Sequence, residues 1–220
     1  MKLVLLHSPL TGPGTWSALA PILRAQQHTV FVPDLTLVMR GNGPFYPTLA
    51  AAAAAEADGA VLVAHSGAGA LVPAIAAQSH LRGAIFLDAL LPHPGRSWFE
   101  TASAPLAAHL RGLASDGSLP PWHRWWPDGA MARLLPDDAQ RAAFVHELAA
   151  LPLAYFEEPA PDVTLSIPCA YLQLSEGYKA EADQAAADGW PVARLALHHL
   201  AMLTDPEPVA SAMADLLAAG

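Results

Sequence analysis

Six short runs of apolar residues recur along the chain, and within each run the apolar positions are continuous rather than alternating with polar ones. The runs are "KLVLL", "TVFVPDL", "AVLVAH", "GAIFLDAL", "PCAYLQLS" and "VARLALH". Continuous apolarity is typical of strands that are covered on both faces, as in a parallel sheet. The six runs therefore predict the strands of a parallel sheet.

Segments with helical spacing or composition lie between most of these runs. In "TWSALAPILRAQ" the apolar positions follow helical spacing, and "TLAAAAAAEADG" is rich in alanine and ends at Gly59, where a helix C-cap is expected. Three further segments are predicted as helices: "GALVPAIAAQSH", "KAEADQAAADG" and "PEPVASAMADLLAAG". Strands that alternate with helices predict an open, mainly parallel α/β sheet with flanking helices.

Residues 93–166 interrupt this alternation. No strand is evident there, and the segment is dominated by proline, tryptophan and amphipathic pieces such as "LPPWHRWWPDG" and "DDAQRAAFVHELAAL". The segment falls between the fourth and fifth runs, so it can cover the carboxyl ends of the strands, where open α/β sheets bind ligands. We predict one domain, residues 1–220, with 93–166 as a helical cap. The alternative is that these helices cover one face of the sheet.

Composition narrows the class of protein. The chain has 220 residues, of which 53% are hydrophobic, enough for one domain with a sizeable core. A formal charge of −9 argues against nucleic acid as a partner. The single Cys169 excludes an internal disulfide framework and a cysteine-based zinc site. The spacing of the histidines matches no common metal-binding motif, so no metal is expected.

No membrane segment or export signal is predicted. No apolar run approaches the roughly 18 residues that a membrane span needs. The opening "MKLVLL" lacks the length and the cleavage site of a signal peptide and is interpreted as a first strand. We therefore expect a cytoplasmic protein. The oligomeric state cannot be predicted from the sequence.

The stretch "VLVAHSGAGALV" contains the candidate nucleophile, Ser66. A strand that turns sharply into a helix crowds the backbone, so the residues two before and two after the nucleophile must be small. Here these residues are Ala64 and Ala68. The pattern matches the nucleophile elbow, with alanine instead of glycine at the two outer positions. This turn exposes the serine Oγ beside free N–H groups of the helix N-terminus. A plain strand–helix corner is the alternative.

The candidate base lies near the end of the chain. The stretch "LALHHLAMLTDPEPVA" places His198 and His199 after the last strand and before a helix opened by Pro206. At this point the sequence resembles the α/β-hydrolase family, whose base lies on the loop after the last strand. His199 lies seven residues ahead of Pro206, the separation that the resemblance implies for the base. His198 is then a neighbour that packs or forms hydrogen bonds.

The resemblance extends over the whole chain. The segment "LLHSPLTGPGTW" resembles the oxyanion loop after the first strand, and "FLDALLPHPGRSWFE" resembles the segment that leads into the cap. It implies a Ser–His–acid triad, since a serine hydroxyl needs a base, and the base needs an acid that selects its tautomer.

Two residues are candidates for the acid. The resemblance places it after the penultimate strand, in "YLQLSEGYKAEAD", where Tyr178 occupies the expected position and Glu176 is the nearest carboxylate. The alternative is Asp88, because "FLDALLP" resembles the segment that carries the acid in pancreatic lipase, a relative whose acid lies one strand earlier. A buried aspartate needs a partner, which His199 can provide. We favour Asp88 and keep Glu176 as the alternative.

The oxyanion hole is the least regular part of the predicted site. One donor is expected to be the N–H of Gly67, directly after the nucleophile. The resemblance implies that the second comes from the residue two positions after His7, but that residue is Pro9, which has no N–H. Leu10 or Thr11 can donate instead if the loop shifts. A hydroxyl of Ser8 or Thr11 can substitute, or the hole is weakened.

An apolar substrate pocket is expected around these residues. Its predicted lining comprises His7, Pro9, Trp122, Trp125 and Trp126, although aromatic clusters in a short cap also pack it onto the core.

The predicted function is hydrolysis of an ester, thioester, lactone or amide of a hydrophobic small molecule through an acyl-enzyme, without a cofactor. Two alternatives stay open: a non-hydrolytic enzyme that uses the same pocket for cyclisation, acyl transfer or C–C cleavage, and a non-catalytic protein that binds a small molecule.

Overall fold

Eight strands lie within residues 1–219, the part of the chain that this computed structural model describes. In chain order they are β1 (Lys2–Leu6), β2 (Thr29–Phe31), β3 (Val61–Ser66), β4 (Gly83–Ala89), β5 (Ser118–Leu119), β6 (Leu151–Pro152), β7 (Cys169–Gln173) and β8 (Val192–Arg194). Six of them form one parallel sheet in the order β2-β1-β3-β4-β7-β8. The prediction of a parallel α/β sheet is confirmed.

Eleven α-helices accompany the strands within the same residues. They are α1 (Leu19–Ala25), α2 (Phe45–Ala54), α3 (Val72–Ala76), α4 (Trp98–Thr101), α5 (Ala104–Leu113), α6 (Ala130–Leu134), α7 (Asp138–His146), α8 (Leu153–Glu157), α9 (Lys179–Ala187), α10 (Ala201–Thr204) and α11 (Pro206–Ala219). Each of the five segments predicted as helical overlaps one of them, and only α2 begins outside its segment, at Phe45. The expected C-cap at Gly59 is wrong, because α2 ends at Ala54 and Gly59 lies in the turn beyond, at φ 69°.

The strand order determines where a ligand can bind. β1 and β3 are neighbours, while β2 lies on the outer side of β1, so the direction of the strand order reverses between β1 and β3. At such a point the connections leave to opposite faces of the sheet and open a crevice at the carboxyl ends of the strands. Ser66 is the last residue of β3, so it lies at this crevice beside the loop that follows β1.

Residues 93–166, which we call the insert, connect β4 to β7. They contain α4 to α8 and a ribbon in which β5 and β6 pair antiparallel. The expectation that the insert has no strands is therefore wrong. Each ribbon strand has only two residues, which is too short to produce a periodic pattern in the sequence.

Carboxylates of the insert join it to the rest of the protein. Both oxygens of Glu158 accept hydrogen bonds from the first N–H groups of α2, those of Phe45 (2.7 Å) and Tyr46 (2.8 Å). Glu147 accepts a hydrogen bond of 2.8 Å from the N–H of Gly14, in the loop after β1. A carboxylate at a helix N-terminus satisfies free donors and the helix dipole. The insert is thus joined to the start of α2 and to the segment after β1, at the edge of the sheet where Ser66 lies.

Within residues 1–219, no helix is long and apolar enough to cross a membrane. The cytoplasmic location stays a prediction from the sequence.

Candidate active site

Ser66 occupies a strained turn at the end of β3. Its backbone has φ 57° and ψ −128°, a conformation that residues other than glycine rarely adopt. The pairing of β3 with β4 shifts register at this point, so that Ser66 pairs with Ala89 and not with Asp88. Asp88 also has a positive φ, 45°. The ends of the adjacent strands β3 and β4 are therefore both irregular. β3 carries the candidate nucleophile there, and β4 carries the candidate acid.

Small residues allow the chain to pass closely at this turn. Ala64 and Ala68 are fully buried. A Cβ atom on Gly69 would lie 2.0 Å from the carbonyl oxygen of Leu90, in the backbone that follows β4. The N–H of Leu90 donates to the carbonyl of Ser66 at 3.0 Å. The close approach of these two segments therefore requires glycine at position 69.

His199 forms a direct hydrogen bond with Asp88. Its Nδ1 lies 2.7 Å from Asp88 Oδ2. The other carboxylate oxygen accepts from the N–H groups of Leu174 (2.8 Å) and Ser175 (3.0 Å), and the Ser175 hydroxyl donates to Oδ2 at 2.7 Å. Because an ionised carboxylate only accepts, Nδ1 of His199 is the protonated nitrogen and Nε2 is free to act as a base.

Hydrogen bonds maintain the charge of Asp88. The side chain is fully buried, and burial alone would raise its pKa. The hydrogen bond and the electrostatic attraction of His199, together with the hydrogen bonds from Ser175 and Leu174, outweigh this effect and hold the pKa of Asp88 below its ordinary value. The carboxylate is therefore ionised at neutral pH and can stabilise a positive charge on His199.

Tyr171 positions the residue that follows Asp88. Its hydroxyl accepts from the N–H of Ala89 at 3.0 Å and donates to the carbonyl of Ala89 at 2.7 Å. No role was predicted for Tyr171 from the sequence. A tyrosine inside a buried apolar strand needs a partner for its hydroxyl, and this was the available signal.

Comparison with known proteins identifies the family of the chain. Residues 3–212 match the model of the alpha/beta hydrolase family. The chain belongs to this family. No curated protein sequence matches the chain.

Solved structures of low sequence identity share the fold of this hydrolase. An extracellular α/β-hydrolase from a Paenibacillus species, described as homologous in structure and function to tobacco salicylic acid binding protein 2, has a TM-score of 0.78 and 20% identity over 98% of both chains. A pyrethroid hydrolase from Sphingobium faniae JZ-2 has a TM-score of 0.69 and 20% identity over 98% of this chain and 96% of that one. Polyneuridine aldehyde esterase has a TM-score of 0.73 and 18% identity over 98% of both chains. At these identities, the likeness establishes the fold alone.

Glu176, the alternative acid, does not hold the imidazole. It is exposed at the start of a 3-10 turn, Glu176–Tyr178, after β7. The single proton on Nδ1 of His199 is donated to Asp88, so no role at the imidazole is left for a second carboxylate. The structure therefore brings Asp88 to the base and leaves Glu176 at the surface.

Tyr178 contacts both Ser66 and His199. Its hydroxyl lies 3.2 Å from Ser66 Oγ, and its ring stacks on the imidazole with centroids 4.9 Å apart and an interplanar angle of 5°. Tyr178 therefore links the end of β3 to the loop that carries His199. From the sequence, Tyr178 was identified only as the residue at the position expected for the acid, with no function of its own.

His198 holds the loop that carries His199. Its Nδ1 accepts from the N–H of Leu200 at 3.2 Å, so the proton is on Nε2, which donates to Thr204 Oγ1 at 2.9 Å. Thr204 in turn donates to Asp205 at 2.6 Å. Burial lowers the pKa of His198, which favours this neutral form. His198 thus contributes hydrogen bonds within the loop, while the neighbouring imidazole meets Asp88.

His65, the residue before Ser66, forms a hydrogen bond with the backbone of His199. It is fully buried, and its Nε2 donates to the backbone carbonyl of His199 at 3.0 Å. The two rings lie 4.5 Å apart. Burial and the nearby His199 hold the pKa of His65 well below its ordinary value, so His65 stays neutral. This role was not predicted from the sequence.

The two histidines of the last loop are expected to differ strongly when replaced. His199→Ala removes the group that contacts Asp88, so turnover should fall by at least about 10³-fold. His198→Ala removes only hydrogen bonds within the loop, and we expect a fall of less than about tenfold with a modest loss of stability. Steady-state kinetics and thermal denaturation of both variants check this. The reverse ranking would mean that His198 is the base.

The two predicted oxyanion donors differ in their surroundings. Gly67 is the first residue of the 3-10 turn Gly67–Leu71, where an N–H has no partner within the turn. Pro9 is buried and lies beside Gly67. The N–H of Leu10 donates to Ser8 Oγ at 3.3 Å. The expectation that Leu10 presents a free N–H is therefore wrong for this structure, because the side chain of Ser8 takes it.

His7 does not line a pocket. It is fully buried, and the N–H of Leu35 donates to its Nε2 at 3.1 Å. Its Nδ1 therefore carries the proton, which it donates to the carbonyl of Ser8 at 2.8 Å. Burial lowers the pKa of His7, so the ring stays neutral. His7 thus joins the loop after β1 to the loop after β2 and has no free polar group to offer a substrate.

The three tryptophans of the insert have different surroundings. The ring of Trp122 lies 6.3 Å from the ring of His199, and Trp126 packs edge-on against Trp122 at 6.2 Å and is partly exposed. Trp125 is buried against Phe156 and donates from Nε1 to a backbone carbonyl. The structure therefore brings Trp122 to the site, with Trp126 next to it, whereas Trp125 belongs to the core of the insert.

The described residues contain no group of three or more His, Cys, Asp or Glu side chains that could hold a metal ion. The chemistry that the arrangement supports is that of Ser66, His199 and Asp88.

Proposed function

We propose that the protein is a serine hydrolase that cleaves an ester, thioester, lactone or amide of a hydrophobic small molecule through an acyl-enzyme on Ser66. The observation that carries the proposal is the 2.7 Å hydrogen bond between Asp88 and His199 Nδ1, next to a serine on a strained turn. His199 contacts Asp88, and Tyr178 contacts both His199 and Ser66, so the three groups lie in one cluster. A serine, a histidine and a carboxylate together are the groups that activate a serine hydroxyl.

In the proposed reaction, His199 Nε2 takes the proton of Ser66 while Oγ attacks the substrate carbonyl. Asp88 stabilises the imidazolium that forms and keeps the proton on Nδ1. The imidazolium then gives its proton to the leaving group as the carbonyl re-forms. Water then attacks the acyl group while His199 takes one of its protons, and His199 returns this proton to Ser66 Oγ as the Oγ–C bond breaks. No cofactor takes part in either step.

The proposed substrate is hydrophobic because of the side chains near the imidazole. Trp122 lies next to His199, and Phe144 and Trp126 pack against Trp122. Aromatic rings at this position favour an apolar acyl or alcohol group. The proposal assigns the insert, residues 93–166, the role of a cap over the site. The names of two structural neighbours, a pyrethroid hydrolase and an esterase, are in line with ester hydrolysis.

Two probes test the proposed function. A fluorophosphonate labels an activated serine, and 4-nitrophenyl butyrate reports turnover of a simple apolar ester. We expect the wild-type protein to be labelled within minutes and to hydrolyse the ester catalytically. Labelling without ester turnover would favour cyclisation, acyl transfer or C–C cleavage. The absence of both would contradict the proposal and favour a protein that only binds a small molecule.

A further inference from the structure

The oxyanion hole of the proposed reaction has one clear backbone donor. Gly67 supplies an N–H directly after the nucleophile. Pro9 has no N–H, and the N–H of Leu10 is engaged by Ser8 Oγ at 3.3 Å. A tetrahedral intermediate places a full negative charge on one oxygen, and removal of one of its donors typically costs about 10²–10³ in rate. Another donor within reach of the same oxygen would replace the missing backbone N–H.

The hydroxyl of Tyr178 contacts the proposed nucleophile. It is 3.2 Å from Ser66 Oγ, the atom that bonds to the substrate carbon. The oxygen that becomes negatively charged is attached to that same carbon, two bonds from Oγ. A hydroxyl that already touches Oγ is therefore close to this oxygen as soon as the new C–O bond forms.

The position of Tyr178 is determined by its surroundings. Its ring lies parallel to the imidazole of His199 at 4.9 Å. It ends the 3-10 turn that follows Ser175, whose N–H and hydroxyl both bind Asp88. The loop that orients the acid therefore also presents the phenol. Burial raises the pKa of Tyr178, so the group keeps its proton and can donate a hydrogen bond at neutral and alkaline pH.

We propose that the hydroxyl of Tyr178 is the second donor to the oxyanion, acting together with the N–H of Gly67. This inference rests on the proposed function. As Ser66 transfers its proton to His199 and Oγ bonds to the carbonyl carbon, the π electron pair moves onto the carbonyl oxygen. Tyr178 then turns its hydrogen bond from Oγ to that oxygen and keeps its own proton. The bond is released when the carbonyl re-forms and the leaving group departs with the proton from His199.

Tyr178→Phe tests the inference, because it removes the hydroxyl and keeps the ring that stacks on His199. With 4-nitrophenyl butyrate, kcat should fall by about 10²–10³-fold while KM changes by less than about threefold. Butylboronic acid forms a tetrahedral adduct with an activated serine, and its inhibition constant should weaken by a comparable factor. The melting temperature should stay near that of the wild type.

Two further variants separate the effect of the Tyr178 hydroxyl from the effects of other hydroxyl groups. Tyr46→Phe is a matched control, because the Tyr46 hydroxyl has no hydrogen-bond partner among residues 1–219, and activity should be unchanged. Ser8→Ala removes the competing hydroxyl near Gly67 and should lower kcat by less than about tenfold. A large loss in Ser8→Ala, together with wild-type kcat in Tyr178→Phe, would assign the second donor to Ser8 and overturn the inference.

The wild-type protein also separates this inference from the proposed function. If the wild type neither hydrolyses the ester nor binds the boronic acid, the proposed function fails and the role of Tyr178 fails with it. If the wild type does both and Tyr178→Phe matches it in kcat and in boronic acid affinity, only the role of Tyr178 fails. A tyrosine that served packing alone would give this second result, since phenylalanine preserves the stacked ring.

Discussion

Ser66→Ala is expected to abolish fluorophosphonate labelling and to lower ester turnover by on the order of 10⁶-fold, because no other group in the site can form the acyl-enzyme. The melting temperature should stay near that of the wild type. Within residues 1–219 the Ser66 hydroxyl makes one hydrogen bond, to Tyr178, whose loss costs about 1 kcal/mol. Alanine at φ 57° carries the same backbone strain as serine.

Mass spectrometry of the labelled protein gives an independent readout of the same variant. In the wild type, the added mass should lie on the peptide that contains Ser66, and it should disappear in Ser66→Ala. Labelling of Ser66→Ala at the wild-type rate would exclude Ser66 as the nucleophile. Loss of labelling accompanied by a large fall in melting temperature would instead indicate a folding defect, which circular dichroism of the variant identifies.

Asp88→Asn is expected to lower turnover by on the order of 10⁴-fold. The carboxylate accepts from His199 Nδ1 at 2.7 Å and selects the tautomer in which Nε2 is free. An asparagine can turn its NH₂ group towards the imidazole and stabilise the opposite tautomer, in which Nε2 carries the proton and cannot act as a base. Steady-state kinetics with 4-nitrophenyl butyrate measures the loss.

Glu176→Gln is the matched control for Asp88→Asn, since it also changes one carboxylate to an amide near the site. Glu176 is exposed on its turn, so turnover should stay within about twofold of the wild type. Asp88 also accepts from Leu174 and Ser175, and an amide cannot accept all of these bonds, so Asp88→Asn should lower the melting temperature as well. A severe loss of turnover in Glu176→Gln with mild kinetics in Asp88→Asn would show that Glu176 is the acid.

The sequence alone was sufficient to predict the six strands of the parallel sheet, five of the helices that accompany them and the sharp turn at Ser66. Continuous apolar runs are a local property, and burial on both faces of a sheet requires them. The small residues around Ser66 are also local, because the crowding that demands them comes from the turn itself. Gly69 shows this most directly, since any side chain there would meet the backbone at Leu90.

The choice between Asp88 and Glu176 depended on tertiary structure. Asp88 lies near the end of β4 and Glu176 follows β7, at the same edge of the sheet, and the sequence favoured Asp88 without excluding Glu176. The positive φ of Asp88 and the three donors from Leu174 and Ser175 turn its carboxylate towards His199. Those donors lie more than 80 residues away along the chain, so no local pattern could indicate them.

The surroundings of the triad were likewise decided by contacts between distant segments. The sequence marked His7 as a pocket residue and Leu10 as a donor, but the ring nitrogens of His7 and the N–H of Leu10 are taken by neighbouring loop groups. The sequence identified Tyr178 only as the residue at the position where the family resemblance places the triad acid. A hydrogen bond is specified by the position of its partner in space, and for Tyr178 that partner is Ser66, 112 residues away along the chain. Apolar runs and small residues therefore determine the framework and the turn that carries Ser66, whereas only the folded chain decides which polar groups meet.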